Sequence, residues 1–392
     1  MCTSGAGEFL AGKTYDVAVI GAGVFGAWTA LTLQRQGRSV ILLDAYGPGN
    51  TRASSGGESR LIRMGYGPDE LLTRWSARSL VVWKELFQQL GRPLFAPTGI
   101  LWIVNDEDAY TRASRETLSR AGIAYEWLPR AELEKRWPQI DLGRATWGLY
   151  EKESGALLAR RAVAAVVEAA VALGVAYLQE AATAPAGLGR VSELITQSGR
   201  EIRAGQFVFC CGPWIGRLFQ NLLSSRIFVT RQEVFFFGTP AGDARFSPPA
   251  MPAWLCLADQ MYGMPDLESR GFKIACDRHG PPFDPDDGER RTSEEGLAIA
   301  REYLARRFPA LARAPLVEAR VCQYENTSNG DFLVDRHPDL ENVWLVGGGS
   351  GHGFKHGPAM GEYVAGRLAG TVAAEPRFAM ATKATTQRRT IY

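Results

Sequence analysis

Tyr15-Asp16-Val17-Ala18-Val19-Ile20-Gly21-Ala22-Gly23-Val24-Phe25-Gly26 reads as a buried β-strand, a tight glycine turn and the opening of a helix. Gly21 lets the turn close, Gly23 lets a pyrophosphate approach the backbone, and Gly26 lets helix and strand pack closely. The helix N-terminus offers that phosphate free N–H groups and the positive end of a dipole. After the helix, 27–36, a second apolar strand at 39–43 runs into Asp44 and Ala45. An acid about 20 residues past the glycines is where a ribose hydroxyl is held. Strand, turn, helix and acid in this order point to a dinucleotide site; the alternative is a structural βαβ unit with an empty loop.

At 392 residues the chain exceeds what one core usually serves, so two domains are expected. It is 46% apolar and 22% charged, as soluble globular proteins are, and a net charge of +2 without a basic stripe argues against nucleic acid. No apolar run reaches the ~20 residues that span a bilayer, and Met1 to Lys13 lacks the apolar core of a signal peptide. A soluble, cytoplasmic protein follows, with neither membrane nor nucleic-acid partners, and it is taken as a monomer. Six cysteines (Cys2, Cys210, Cys211, Cys256, Cys276, Cys322) show no CxxC pair or framework spacing and suit a reducing compartment. Four scattered histidines offer no metal site: His352 and His356 stand at i, i+4 without the Glu of a zinc-protease helix.

Farther along, the loop at 46–63 is long and glycine-rich, a sign of function in a compact domain. An amphipathic helix at 69–90 closes the first unit. A strand at 100–104 and helices at 106–121 and 130–137 leave that unit, and 159–173 is a strong helix. A strand at 201–211 ends in Gly212-Pro213-Trp214, again opening a helix at the carboxyl end of a strand, where open α/β sheets hold ligands. Strands at 226–238, 254–262 and 271–276 suggest a largely antiparallel sheet, followed by a helix at 293–308. Strands through 321–322, 332–335 and 343–346 precede a second glycine loop, Gly347 to Lys355, and a helix from about 358. The tail after Ala374 reads as a loosely tied surface strap.

The two glycine loops, with Ser54-Ser55-Gly56-Gly57-Glu58-Ser59-Arg60-Leu61-Ile62-Arg63 between them, resemble the flavin amine oxidases of the monomeric sarcosine oxidase type. That group includes N-methyltryptophan oxidase, pipecolate oxidase and the fructosyl amino acid oxidases. The resemblance runs from about Tyr15 to Arg367. Its further marks are Tyr66-Gly67, Gly212 with Trp214, Arg231-Gln232, Tyr262-Gly263 with Lys273 eleven residues on, Cys322 with Tyr324, and Ser350 to Lys355. The expected fold class is then α/β (α+β): a Rossmann-type FAD-binding domain, discontinuous in sequence (14–92, 150–225, 320–374), plus a mostly antiparallel-sheet substrate domain (93–149, 226–319). Residues 1–13 and 375–392 are flexible or strap-like termini.

The resemblance implies FAD, with its adenosine end on residues 21–26, Asp44 and Ala45. Arg52, Ser54, Ser59, Arg60, Gly212, Trp214, Gly349, Gly351, His352, Gly353, Phe354 and Lys355 complete the expected contacts. It also implies a thioether from Cys322 to the flavin ring; read by itself, a free cysteine is more often a small buried hydrophobe. Arg63 and Lys355 become a carboxylate clamp, a planar fork beside a point charge; the plain reading of Arg63 is a solvated loop charge. Arg60 is placed over the flavin, where a cation stabilises the reduced ring, or else pairs with Glu58. Lys273 becomes the charge that stabilises superoxide, or else an exposed strand-edge lysine. Tyr262 shapes the pocket or sits in the core, and His352 has a flavin and pocket role without being the general base.

The implied reaction is oxidation of a secondary or N-alkyl amino acid to an imine, with oxygen reduced to hydrogen peroxide. Three departures bear on the substrate. Ser55, Gly56, Glu58 and Ser59 replace a histidine pair, an acid and a threonine of the sarcosine oxidases; Trp254 brings a large ring to a pocket strand; Glu325 follows Tyr324. A larger or cyclic imino acid is as plausible as sarcosine. A dehydrogenase of the same fold using another electron acceptor, a non-catalytic flavoprotein and an NAD-dependent enzyme are the alternatives.

Overall fold

The computed structural model describes residues 12–387; Cys2 and the outer parts of both expected termini, 1–11 and 388–392, lie outside the described residues. Strand Thr14–Ile20 has almost no exposed surface from Val17 to Ile20, as a strand enclosed in a parallel sheet must. It pairs in parallel with Val40–Leu43 on one side and Glu201–Phe209 on the other. The sheet extends past Val40–Leu43 to Ala176–Leu178. Past Glu201–Phe209 it reaches parallel Val343–Gly347 and then antiparallel Leu333–Arg336. Its strands thus come from the beginning, middle and end of the chain, as the discontinuous reading expected. Helix Val24–Arg35 follows the first strand so closely that a Cβ on Gly26 would lie 1.8 Å from the Gly21 carbonyl oxygen. Gly21 itself turns at φ 104°, a conformation L side chains rarely adopt.

A second sheet orders its strands as Leu316–Asn326, Phe228–Phe237, Phe272–Cys276, Met261–Met264, Ala253–Cys256, Ile100–Val104, Trp147–Glu151 and Glu126–Pro129. All pairings are antiparallel except that of Ala253–Cys256 with Ile100–Val104. Its two faces have different work. Phe235, Phe237, Trp254, Phe272 and Ile274 pack on one side with Tyr303 and Leu304 of helix Glu294–Arg307. Val234, Phe236, Tyr262 and Ala275 gather on the other. Alternation along each strand assigns every side chain to one face or the other.

Most helices and long strands fall where periodicity put them, within a few residues. The exception is the expected strand at 254–262, which is a hairpin: Ala253–Cys256 and Met261–Met264 pair across a turn with Gln260 at φ 54°. Arg60–Ile62, Gly155–Leu157 and Phe95–Ala96 form a small sheet, too short to announce itself by pattern. The described part of the tail is tied down. Phe378 is fully buried, Met380 N–H donates to Asp335, Ala384 N–H donates to Ser328 Oγ, and Lys383 Nζ donates to the Arg377 carbonyl (2.7 Å). No helix among the described residues is long and apolar enough to cross a membrane.

Candidate active site

Two adjoining cavities occupy the space between the sheets. The larger, about 350 Å³, is walled by Gly21, Gly23, Val24, Phe25, Asp44 and Ala45 at the first glycine turn. Ser54, Arg60, Gly212, Trp214 and Cys322 continue its wall, with Gly349, Gly351, Gly353 and Phe354 from the second loop. The smaller, about 90 Å³, is walled by Arg60, Arg63, Tyr262, His352 and Lys355 among others. Arg60, Tyr324, Gly351 and Phe354 belong to both walls.

The larger cavity fits a dinucleotide. A Cβ on Gly23 would meet only Ser55 Oγ at 3.6 Å, on Gly212 only Glu325 Oε2 at 3.9 Å, and on Gly349 only the Gly353 Cα at 3.9 Å. These three glycines therefore face open cavity, and any larger residue would fill the space a ligand needs. Asp44 accepts N–H bonds from Ala22 (2.7 Å), Tyr46 (2.9 Å) and Gly47 (2.8 Å), so its carboxylate braces the turn as well as lining the wall. Burial pushes its pKa up, against those three amides. Arg52 lies outside the wall: its guanidinium covers the Tyr46 ring at 5.1 Å and its carbonyl accepts from Gln323 Nε2 (2.7 Å). Arg290, unforeseen from the sequence, has a buried Nη1 with no hydrogen-bond partner among the described residues. Burial and then the Arg52 charge lower its pKa.

Cys322 sits on strand Leu316–Asn326 with its Sγ 3.3 Å from Arg60 Nη2. Arg60 also donates to the Ser54 (2.7 Å) and Ser59 (2.9 Å) carbonyls. The alternative Arg60–Glu58 pair does not form; Glu58 faces Arg160 (2.8 Å), Arg320 (2.9 Å) and Arg270 (3.6 Å) instead. Lys273 is buried behind this group, donating to the Ser59 carbonyl at 2.9 Å, and opens on neither of the two cavities. Ser59 is enclosed with it. Burial, reinforced by the Arg60 charge, lowers the Lys273 pKa to about 7.

In the smaller cavity Arg63 and Lys355 meet at Tyr66. The Arg63 guanidinium lies 4.4 Å from the Tyr66 ring centre, and Lys355 Nζ donates to the Tyr66 hydroxyl at 2.7 Å and to the His352 carbonyl at 2.9 Å. The Tyr66 hydroxyl lies 2.8 Å from His356 Nε2 and 3.3 Å from His352 Nδ1. Burial and then the Lys355 charge hold the His356 pKa well below its ordinary value, so its ring is neutral and can accept. His352 Nε2 lies 2.9 Å from the Gly330 carbonyl, which fixes the proton on that nitrogen.

Glu151, a residue no motif flagged, sets the Arg63 segment. Its buried carboxylate accepts from the backbone of Met64 (2.6 Å) and Gly65 (3.2 Å) and from Trp102 Nε1 (3.0 Å). An acid closing an otherwise apolar strand, Trp147–Glu151, was the available signal.

One expectation is corrected. Trp254 does not line the pocket: it pairs with Gly263, on the face opposite Tyr262, and stacks on Tyr303 (5.7 Å) and Phe272 (6.3 Å). A Cβ on Gly263 would lie 2.5 Å from the indole, so the missing side chain is what lets the ring lie flat. Leu255, its neighbour, faces the smaller cavity instead.

The model of the FAD dependent oxidoreductase family matches residues 16–367. Peroxisomal sarcosine oxidase of Homo sapiens is 29% identical over 355 residues, 89% of this chain and 90% of that protein. Monomeric sarcosine oxidase of Bacillus sp. (strain B-0618) is 28% identical with the same coverage. Among solved structures, L-proline dehydrogenase from P. horikoshii superposes with a TM-score of 0.82 at 18% identity, covering 94% of this chain and 97% of that one. The glycine turns, the cavity they enclose and this match over nearly the whole sequence agree: the chain belongs to the FAD dependent oxidoreductase family.

Proposed function

We propose that the protein oxidises a secondary amino acid, N-alkylated or cyclic, to its imine and passes the electrons to oxygen, giving hydrogen peroxide. The observation that carries this reading is the meeting of Arg63 and Lys355 on one small cavity that shares a wall with the dinucleotide cavity. FAD bound in the larger cavity would supply the two-electron acceptor. The substrate carboxylate would lie on Arg63 and Lys355, which brings the C–H bond beside the reacting nitrogen to the shared wall. Tyr262, on the pocket face of its strand, would limit the pocket's breadth. His352, with a proton held toward Gly330, would shape the site without taking the substrate proton. Cys322, on the wall of the larger cavity, would carry the flavin as a thioether. The five described cysteines are unpaired, which supports a reducing compartment such as the cytoplasm.

Lys273 would supply the positive charge that favours electron transfer to oxygen. Its position favours a second reading. It opens on neither large cavity and its pKa is near 7, so it is partly uncharged at neutrality; a dehydrogenase with another electron acceptor fits those facts. A peroxide assay over sarcosine, pipecolate, proline and N-methyltryptophan tests the first reading. Peroxide production that falls at least tenfold in Lys273→Met, with anaerobic flavin bleaching unchanged, supports the oxidase. Bleaching without peroxide in the wild type supports the dehydrogenase.

A further inference from the structure

Glu325, on strand Leu316–Asn326, is 6% exposed and belongs to the wall of the larger cavity. Gly348 N–H donates to its Oε1 at 2.9 Å, and a Cβ on Gly347 would lie 2.2 Å from that same oxygen. Its other oxygen, Oε2, faces Gly212, where a Cβ would lie 3.9 Å from it across open cavity. Gly212 follows on Cys210, whose carbonyl oxygen closes so tightly on Gly21 that a Cβ there would lie 2.3 Å away. The acid therefore stands where the second glycine loop, the end of strand Glu201–Phe209 and the first glycine turn come together.

No basic side chain pairs with this carboxyl among the described residues, and burial raises its pKa to about 7 against the Gly348 and Gly349 amides. Its titratable neighbours are the thiols of Cys210 and Cys211. Burial raises both, and the Glu325 charge adds to each, after those of Cys210 and Asp44 in the case of Cys211. Val229 stands opposite on strand Phe228–Phe237, and the phenol of Tyr324 alongside is pushed well above its usual value by burial. The charges nearest this corner are negative, and the pyrophosphate of FAD would add more of the same sign. An ionised Glu325 would repel it, whereas a protonated one has a hydroxyl to donate. Because Oε1 already accepts the Gly348 N–H, the proton belongs on Oε2, the oxygen that faces the cavity. A buried donor left without an acceptor is costly, and the polar chain of FAD is rich in acceptor oxygens.

We propose that Glu325 is a cofactor-binding residue that holds FAD as a neutral acid, its Oε2–H donating to an oxygen of the ribityl–pyrophosphate chain, so that FAD binding takes up a proton. Above neutrality the acid must first regain that proton, and affinity for FAD falls. The inference needs only the family's cofactor and is independent of which amine is oxidised.

FAD is titrated into flavin-free Cys322→Ser protein, where binding is reversible, at pH 6 and pH 8, following flavin fluorescence. With the free acid titrating near 7, about a tenth of the protein carries the proton at pH 8, so affinity is expected to fall about tenfold between the two. Calorimetry at pH 8 in two buffers of different ionisation heat is expected to show about one proton taken up per FAD bound. Glu325→Gln, which keeps a donor and cannot titrate, is expected to bring the ratio of the two affinities close to one and to abolish the proton uptake. Affinity that does not fall in the Cys322→Ser protein, binding without proton uptake, or a fall that persists in Glu325→Gln overturns the proposal. ADP, which has the pyrophosphate without the ribityl chain, separates the two acceptors: proton uptake with ADP assigns a phosphate oxygen, and its absence assigns the ribityl chain. Protein that takes up no FAD at either pH overturns the cofactor assignment as well.

Discussion

Glu325 is 6% exposed, beside the second glycine loop, where its Oε1 accepts from Gly348 N–H at 2.9 Å. Burial pushes its pKa up to about 7 against the pull of the Gly348 and Gly349 amides. The unfolded chain ionises this group near its ordinary value, so between about pH 4.5 and 7 the folded state holds a proton that the unfolded state has lost. Stability therefore falls as pH rises through that window, by on the order of 3 kcal/mol for a shift of this size. Chemical unfolding of flavin-free protein at pH 5 and pH 8 should show this slope reduced in Glu325→Gln; an identical slope in both proteins contradicts it. Cys322 makes a second residue-scale prediction. Acid precipitation of the wild type should leave the yellow colour on the protein, and Cys322→Ser should release it into solution. Colour that stays bound in the variant rules out a thioether at this position. Lys273, by contrast, has a base pKa depressed on folding, so its burial destabilises the fold below about pH 7 and ceases to do so as pH rises toward its ordinary value.

Asp286 belongs to a loop between strand Phe272–Cys276 and helix Glu294–Arg307 that reaches over the larger cavity. It accepts from Trp214 Nε1 (2.7 Å) and from Arg217 Nη1 (2.5 Å), both in the Gly212–Leu218 stretch that follows strand Glu201–Phe209, and approaches the Tyr46 hydroxyl at 3.4 Å. The part-buried Trp214 bond to a carboxylate is worth about 1.5–3 kcal/mol and the exposed Arg217 pair about 0–1 kcal/mol, so the loop is a clasp between the two sheets' elements. In a Cys322→Ser background, Asp286→Ala should weaken FAD binding to the flavin-free protein about tenfold or more. Unchanged affinity means that the clasp does not hold the cofactor. This loop also shows what local pattern cannot reveal. Asp284-Pro285-Asp286-Asp287-Gly288 reads as an ordinary exposed turn, and only the tertiary fold brings it to Trp214. Trp254 lies on the far face for a related reason: a hairpin turn at 257–260 interrupts what the apolar pattern presents as one strand, and side-chain parity, which decides the face, depends on that turn.

Across the molecule, the first sheet was legible because a strand, a glycine turn and a helix are bound together within a dozen residues, and the same signature recurs at Gly347 to Lys355. The meeting of Arg63 with Lys355 was legible only through resemblance, since 292 positions separate them in the sequence and no local periodicity carries that information. Glu151 and Arg290 escape notice in the sequence because each stands in a charged cluster, Glu151-Lys152-Glu153 and Glu289-Arg290-Arg291, which reads as solvated surface. What the whole fold achieves is to bring the end of one sheet's glycine turn, the inner face of a second sheet and the second glycine loop, Gly347 to Lys355, around two adjoining cavities. The most direct test is anaerobic titration of the FAD-loaded protein with secondary amino acids, following loss of the visible flavin absorption. The wild type should bleach with at least one of them, and Arg63→Met should need about a hundredfold more of it, as expected when a charge-assisted bidentate contact is lost, with its flavin still bound. A protein that no such amino acid bleaches, or an Arg63→Met variant that bleaches at the wild-type concentration, would contradict the assignment of this cavity.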